Sequence, residues 1–210
     1  MFKDRIEAGQ KLAERLKEEF SSQNLGEVLL LAVPRGGIVV GSQISKALGI
    51  KIDCLVVKKI PSLGNPELAI GAIGEGGVVV WEKEICERLK VSIEYQQKIV
   101  KDKLTELEDK MNFFREGRSL PDLKGKTVII IDDGVATGAT VKVSVAIVEN
   151  FSPKEVILAV PVIAKEKLEE MKEKFDRVVY LEAPELFINV GQFYENFSPI
   201  SDEQIKKVLK

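Results

Sequence analysis

Five short runs of apolar, largely β-branched residues recur along the chain: "EVLLLAV" at 27 to 33, "KIDCLVVKK" at 51 to 59, "GKTVIIIDD" at 125 to 133, "EVILAVPVI" at 155 to 163 and "RVVYLEA" at 177 to 183. Apolar runs without polar alternation mark strands buried on both faces. Helical periodicity fills several of the intervals: "IVVGSQISKALGI" reads as a helix ending near Gly49, and residues 138 to 148 and 165 to 175 read likewise. An amphipathic helix over residues 3 to 20, with Ile6, Leu12, Leu16 and Phe20 on one stripe, precedes the first run. Strands alternating with helices close through right-handed crossovers. The expected fold class is therefore α/β, a mainly parallel, twisted sheet of about five strands flanked by helices. Ligands of such sheets bind beyond the carboxyl ends of the strands.

At 210 residues, with no repeat, low-complexity run or linker, the whole chain, 1 to 210, is expected to form one domain. Three segments stand outside the alternation. Residues 60 to 77, "IPSLGNPELAIGAIGEGG", carry five glycines and two prolines and read as a long loop. A short ribbon near 68 to 73 and 78 to 81 is expected within that lid or hood region, since a loop so long in a compact domain is usually functional. Residues 83 to 116 are charged and helical, with Ile93, Ile99, Leu104, Leu107, Met111 and Phe114 as the expected buried stripe. They form a layer on the sheet or a candidate homodimer interface. The tail from 184 to 210 concentrates aromatics in a loop, either packing over the core or able to stack on a flat ring, and ends in a helix capped by Ser201.

The chain has no histidine, which excludes Ser-His-Asp and Cys-His chemistry and leaves carboxylates, lysines, arginines and backbone amides. A net charge of -2 gives no case for nucleic acid, and no apolar run approaches the roughly 20 residues that span a bilayer. Two cysteines, Cys54 and Cys86, lack CxxC spacing and follow no signal-peptide pattern, so a reducing, cytoplasmic setting is expected.

The densest chemistry lies in "VIIIDDGVATGAT", 128 to 140. The small-residue turn opens a helix, whose unpaired N–H groups and positive dipole end favour an anion, and Thr137 and Thr140 add hydroxyl donors. Asp132 and Asp133 would repel a phosphate but accept hydrogen bonds from vicinal sugar hydroxyls. Together the two halves fit a ribose 5-phosphate lying across the loop. The alternative, a solvated turn with a capping aspartate, would suit a lone acid better than this pair. After the first strand, Gly36 and Gly37 of "PRGG" let backbone amides approach an anion and Arg35 can grip it; alone, this stretch would read as an ordinary turn.

This segment resembles the phosphoribosyl pyrophosphate (PRPP) binding signature of type I phosphoribosyltransferases, and "VPRGG", "GNPELAIGAI" and "GQFYENFSPISDEQI" resemble more narrowly a bacterial and archaeal group of that family with no assigned acceptor. The resemblance runs from about residue 2 to residue 200. It implies that Asp132 and Asp133 hold the ribose hydroxyls, that Ala136, Thr137, Gly138, Ala139 and Thr140 hold the 5-phosphate, and that Pro34, Arg35, Gly36 and Gly37 form the pyrophosphate loop. It further implies a basic residue from the pair Lys58 and Lys59 toward pyrophosphate. The two face opposite ways on a strand, so only one is expected to serve, and the sequence leaves open which. Glu67, on the lid, could meet a nucleophile or form a salt bridge. The implied activity is Mg²⁺-dependent transfer of phosphoribose from PRPP to a small-molecule acceptor, a nucleobase or related nitrogen nucleophile. The ion would be held by substrate oxygens and by no direct protein ligand. Ala136 stands where the hypoxanthine and guanine enzymes carry an aspartate, which makes a 6-oxopurine acceptor less expected. The rival reading is a non-catalytic regulatory protein that binds PRPP or a nucleotide.

Overall fold

The computed structural model describes residues 1–21 and 24–209, with the side chains of Pro66 and Glu67 outside that description. Helix α1 (Arg5–Glu19) starts at Asp4, whose carboxylate accepts from the amides of Ile6 and Glu7. Next come β1 (Val28–Ala32), α2 (Gly36–Leu48), which ends on left-handed Gly49, and β2 (Ile52–Cys54). A second group of elements follows: β3 (Val57–Ser62), β4 (Asn65–Gly74), β5 (Val79–Trp81), α3 (Lys83–Arg88) and α4 (Ile93–Arg115). The chain then returns through β6 (Thr127–Ile131), α5 (Ala139–Glu149), β7 (Glu155–Val162), α6 (Lys165–Lys174) and β8 (Arg177–Glu182), and closes with α7 (Asp202–Val208).

The main sheet has the order β2-β1-β6-β7-β8 with every pairing parallel, as the apolar runs predict. Successive residues of β1 and β6 face opposite layers. Leu30, Ala32, Ile129 and Ile131 pack with Leu12, Leu16 and Ile44 of α1 and α2, whereas Leu31, Val128 and Ile130 pack with α5 and α6 through Val141, Ile147 and Met171. Each buried isoleucine or valine contributes about 1.5–3 kcal/mol. Strand order reverses between β1 and β6, since β1 leads outward to β2 on one side and β6 to β7 and β8 on the other. The loops leaving these two strands therefore diverge and open a crevice.

Three expectations need correction. "KIDCLVVKK" is not one strand. It leaves the main sheet after Leu55, whose amide still bonds the Ala32 carbonyl (2.9 Å), and resumes as β3 in a separate antiparallel sheet of order β3-β4-β5. The cause is a buried ion cluster. The Val56 amide donates to Glu75 Oε1 (3.0 Å) and the Cys54 carbonyl accepts from the Arg115 guanidinium, so side chains take the backbone groups a continuing strand would have paired. The Gly-rich segment 60 to 77 is accordingly mostly strand rather than loop, with the expected ribbon extended at both ends. Gly71 and Gly74 serve close packing, a Cβ on Gly74 falling 1.9 Å from Ile147 Cδ1 of α5, whereas Gly64, Gly76 and Gly77 take the left-handed backbone of turns. Ile60, Ile70 and Ile73, on the other face of this small sheet, pack against Tyr95, Ile99 and Leu104. In α4, Leu107 and Phe114 are buried as expected, but Ile93 is 71% exposed.

Part of the tail packs over the core, as the first of its two readings has it, while Leu186 and Ile188 are exposed. Tyr194 is buried and pairs with Phe2 as an isolated parallel bridge, ring centroids 5.5 Å apart. Among the described residues, no helix is long and apolar enough to cross a membrane.

Candidate functional site

The ends of β1 and β6 lie side by side, with Ala32 opposite Ile131 and the Val33 amide bonded to the Ile131 carbonyl (2.8 Å). Segment 34–37 therefore rests against the acid pair, and its first peptide, Pro34–Arg35, is cis. A Cβ on Gly36 would stand 1.8 Å from Asp133 Oδ2, and one on Gly37 2.5 Å from the Ile131 carbonyl oxygen. These glycines are required by the acid loop itself, a reason independent of any anion. Arg35 is exposed, with Nη1 donating to the Ile200 carbonyl (3.0 Å).

The two acids differ in their surroundings. Asp133 Oδ2 accepts from Arg5 Nε at 2.7 Å, with both side chains less than 15% exposed, and the Asp133 carbonyl accepts from the Tyr194 hydroxyl at 2.6 Å. Arg5 in turn stacks on Phe197, 3.7 Å from the ring centroid, and donates to the Ser198 carbonyl. Burial pushes the Tyr194 phenol up, and the carboxylate of Asp133 adds to it. Among the described residues, no cation forms an ion pair with Asp132. Its Oδ1 accepts from the Asp133 amide (2.8 Å), and burial, reinforced by the neighbouring Asp133 charge, raises its carboxyl well above the ordinary range. A raised acid favours the folded state in its protonated form, so ionisation erodes stability as pH climbs above the unfolded value of 3.8. Asp132→Asn keeps the acceptor for the Asp133 amide and removes that cost. The variant is expected to melt higher than the parent at neutral pH, with the gap closing as pH falls toward 3.8, in melts taken across that range.

Beyond the acids, Val135 is pinned to β7: its amide donates to Val162 (2.9 Å) and its carbonyl accepts from Ala164 (2.8 Å). Ala136 and Thr137 lead to left-handed Gly138 at the start of α5; the Ala139 amide donates to Thr137 Oγ1 (3.4 Å), and the other first-turn amides point toward the turn, where a ligand can meet them. The turn lines a cavity of about 210 Å³ together with Asp132, Thr140 and Lys59. A second cavity, about 330 Å³, is bounded by Arg35, Gly36, Asp133 and Pro199, and Asp132 and Thr140 border both. The predicted anion loops and the acid pair thus come together as two cavities joined at Asp132.

The lysine pair divides as a strand pleat requires. Lys59 lines the cavity at the 136–140 turn, whereas Lys58 faces α4, its Nζ 3.1 Å from Glu106. Glu67 lies on β4, and its side chain falls outside the described residues. Burial pushes the Cys54 thiol up to about 12, which removes it as a nucleophile. Arg5 and Tyr194 were not singled out from sequence. Tyr194 lies in the aromatic tail, but nothing local marks Arg5, which reads as one more charge on an amphipathic helix.

A family model described as a phosphoribosyl transferase domain matches residues 3–197. A Mycobacterium tuberculosis protein that carries a provisional phosphoribosyl transferase name is 36% identical over 209 residues, all of this chain but 46% of that protein; the chain spans about half the length of this relative. The crystal structure of TT1426 from Thermus thermophilus is 33% identical and aligns over 100% of this chain and 97% of its own with a TM-score of 0.83.

Proposed function

The chain belongs to the phosphoribosyl transferase family, and from that membership we propose that it transfers the phosphoribosyl group of PRPP, with Mg²⁺, to a nitrogen nucleophile such as a nucleobase, releasing pyrophosphate. One observation carries the reading. Two anion-receiving loops leave neighbouring strands at the switch point of the sheet, and a carboxylate shared by both cavities stands between them. PRPP has the matching order of groups: 5-phosphate, ribose hydroxyls, diphosphate.

In this reading the first-turn amides of α5, Thr137, Thr140 and Lys59 receive the 5-phosphate. Asp132 accepts from a ribose hydroxyl, and Asp133, held by Arg5, keeps the loop in register and completes the acceptor pair. Arg35 and the amides of Gly36 and Gly37 receive the diphosphate, whose negative charge grows as the C1–O bond breaks while positive charge develops on the ribose ring. The nucleophile's nitrogen takes C1 and gives up its proton to solvent, and the electron pair of the broken bond leaves with pyrophosphate. Among the described residues, no three acidic, cysteine or histidine side chains converge to cage a metal. Mg²⁺ would be carried in on diphosphate and ribose oxygens, without a direct protein ligand, and the carboxylates of Asp132 and Asp133 nearby make the site hospitable to that charge. When bound, the ion supplies positive charge to the leaving group. Free thiols at both Cys54 and Cys86 support a cytoplasmic setting.

The test is acceptor-dependent pyrophosphate release from PRPP and Mg²⁺ across a panel of bases and amines. Release with one acceptor class is expected, and Lys59→Met should weaken PRPP binding about tenfold, the scale of one charge-assisted contact. Tight PRPP binding without turnover, even in cell extract, would replace catalysis by ligand sensing. An absence of PRPP binding would sink both.

A further inference from the structure

Helix α7 carries a carboxylate beside Arg35, which lines the larger cavity. Asp202 Oδ1 lies 3.7 Å from Arg35 Nε and 4.0 Å from Lys110 Nζ. Both separations exceed hydrogen-bond reach. That oxygen is nonetheless buried, and no hydrogen-bond partner for it exists among the described residues. Buried carboxylate oxygens are almost always bonded, so one suspended between two cations needs an explanation. Lys110 approaches from the other side, on α4, with its ammonium 5.6 Å from the Phe114 ring centroid. Burial holds that ammonium below the ordinary lysine value, and Lys58 and Arg35 act in the same direction against the pull of Asp202. Arg35 and Lys58 are thus both cations close enough to Lys110 to repel it. Their facing carboxylates are Glu106, bonded to Lys58 and Lys103, and Asp202, which bonds neither of its neighbours.

We propose that Lys110 is a further binding residue for the diphosphate end of the ligand, and that Asp202 occupies the gap between Lys110 and Arg35 until that ligand arrives. The proposal rests on the PRPP reading above. A diphosphate presents several oxygens at different positions and can give Arg35 and Lys110 the short contacts that one carboxylate oxygen, midway between them, cannot give either. The exchange is undemanding for the protein. The Asp202 side chain is already 37% exposed, so it can turn toward water, and α7 is only seven residues long.

Calorimetric titration of inorganic pyrophosphate with Mg²⁺ tests this on the full chain. Lys110→Met should weaken binding about tenfold, the size of one charge-assisted contact, and Lys110→Arg should restore it to within about threefold. Asp202→Asn should tighten binding by about three- to tenfold, because the competing charge is gone. Lys206→Met removes a cation from the same helix that pairs instead with Glu116, and should leave binding unchanged. The proposal fails if Lys110→Met binds like the parent, if Asp202→Asn weakens binding, or if Lys206→Met loses as much as Lys110→Met. Each of those results leaves the proposed transferase function standing. A parent protein that binds neither pyrophosphate nor PRPP overturns the function and this inference together.

Discussion

Alanine at Gly36 is expected to weaken PRPP binding by about 10- to 100-fold, the scale of about 1–3 kcal/mol of overpacking strain expressed as affinity. The added methyl has nowhere to go. Its ideal position is 1.8 Å from Asp133 Oδ2 and 2.9 Å from Arg5 Nε, the two atoms of a nearly buried ion pair. Relief requires the carboxylate to leave Arg5 or the 34–37 segment to retreat, and either movement separates the loop from the acids. Gly36 opens α2 without a left-handed backbone, so the backbone accepts alanine and the steric term stands alone. Overpacking of this kind costs stability by about 1–3 kcal/mol, well short of unfolding a domain of this size. Titration of PRPP into the variant, with circular dichroism to confirm the fold, checks the expectation. Parent-like affinity would mean that the loop and the acids do not act as one unit.

Arg115→Met is expected to lower stability by about 3–5 kcal/mol, the cost of removing one partner from a buried ion pair. Arg115 is 1% exposed at the end of α4. It donates to both oxygens of Glu75 (2% exposed), to Asp53 Oδ1 at 2.8 Å and to the Cys54 carbonyl. Methionine would strand two carboxylates and a carbonyl at the junction where the chain passes from the main sheet to the small one. At about 2–4 °C per kcal/mol, the melting temperature should fall by roughly 6–20 °C, read by calorimetry. Adding Glu75→Gln and Asp53→Asn should recover part of the loss, because the stranded charges are then gone. A drop below about 1 kcal/mol would show that water or a shifted side chain compensates.

Much of this molecule was legible before its coordinates. Short apolar runs bounded by turn residues suit strands covered on both sides, and all five contribute at least in part to the main sheet. The acid pair followed by a small-residue turn places its chemistry by local spacing alone. What escaped reading depends on partners far along the chain. The break after Leu55 is caused by Arg115, 62 residues beyond Asp53, and by Glu75, 19 residues beyond Val56. No local pattern in "KIDCLVVKK" encodes it. Glycine-rich segment 60 to 77 misled for another reason: glycine serves loops and close packing alike, and only the neighbour across the contact, Ile147 for Gly74, distinguishes them. Asp133 looked equivalent to Asp132 because the residue that separates their roles, Arg5, lies 128 positions away.

The fastening of Asp133 also bears on how the protein assembles. Arg5 reaches Ser198 across 193 positions and Arg35 reaches Ile200 across 165, while Tyr194 closes over Asp133 and bridges Phe2. Closing contacts so distant in sequence costs loop entropy that their packing must repay. A ligand seated in the pocket would therefore act as a clasp on both ends of the described chain. Occupancy should protect the segment from 184 to 200 against proteolysis, and a nick there should loosen the acid pair without touching either aspartate.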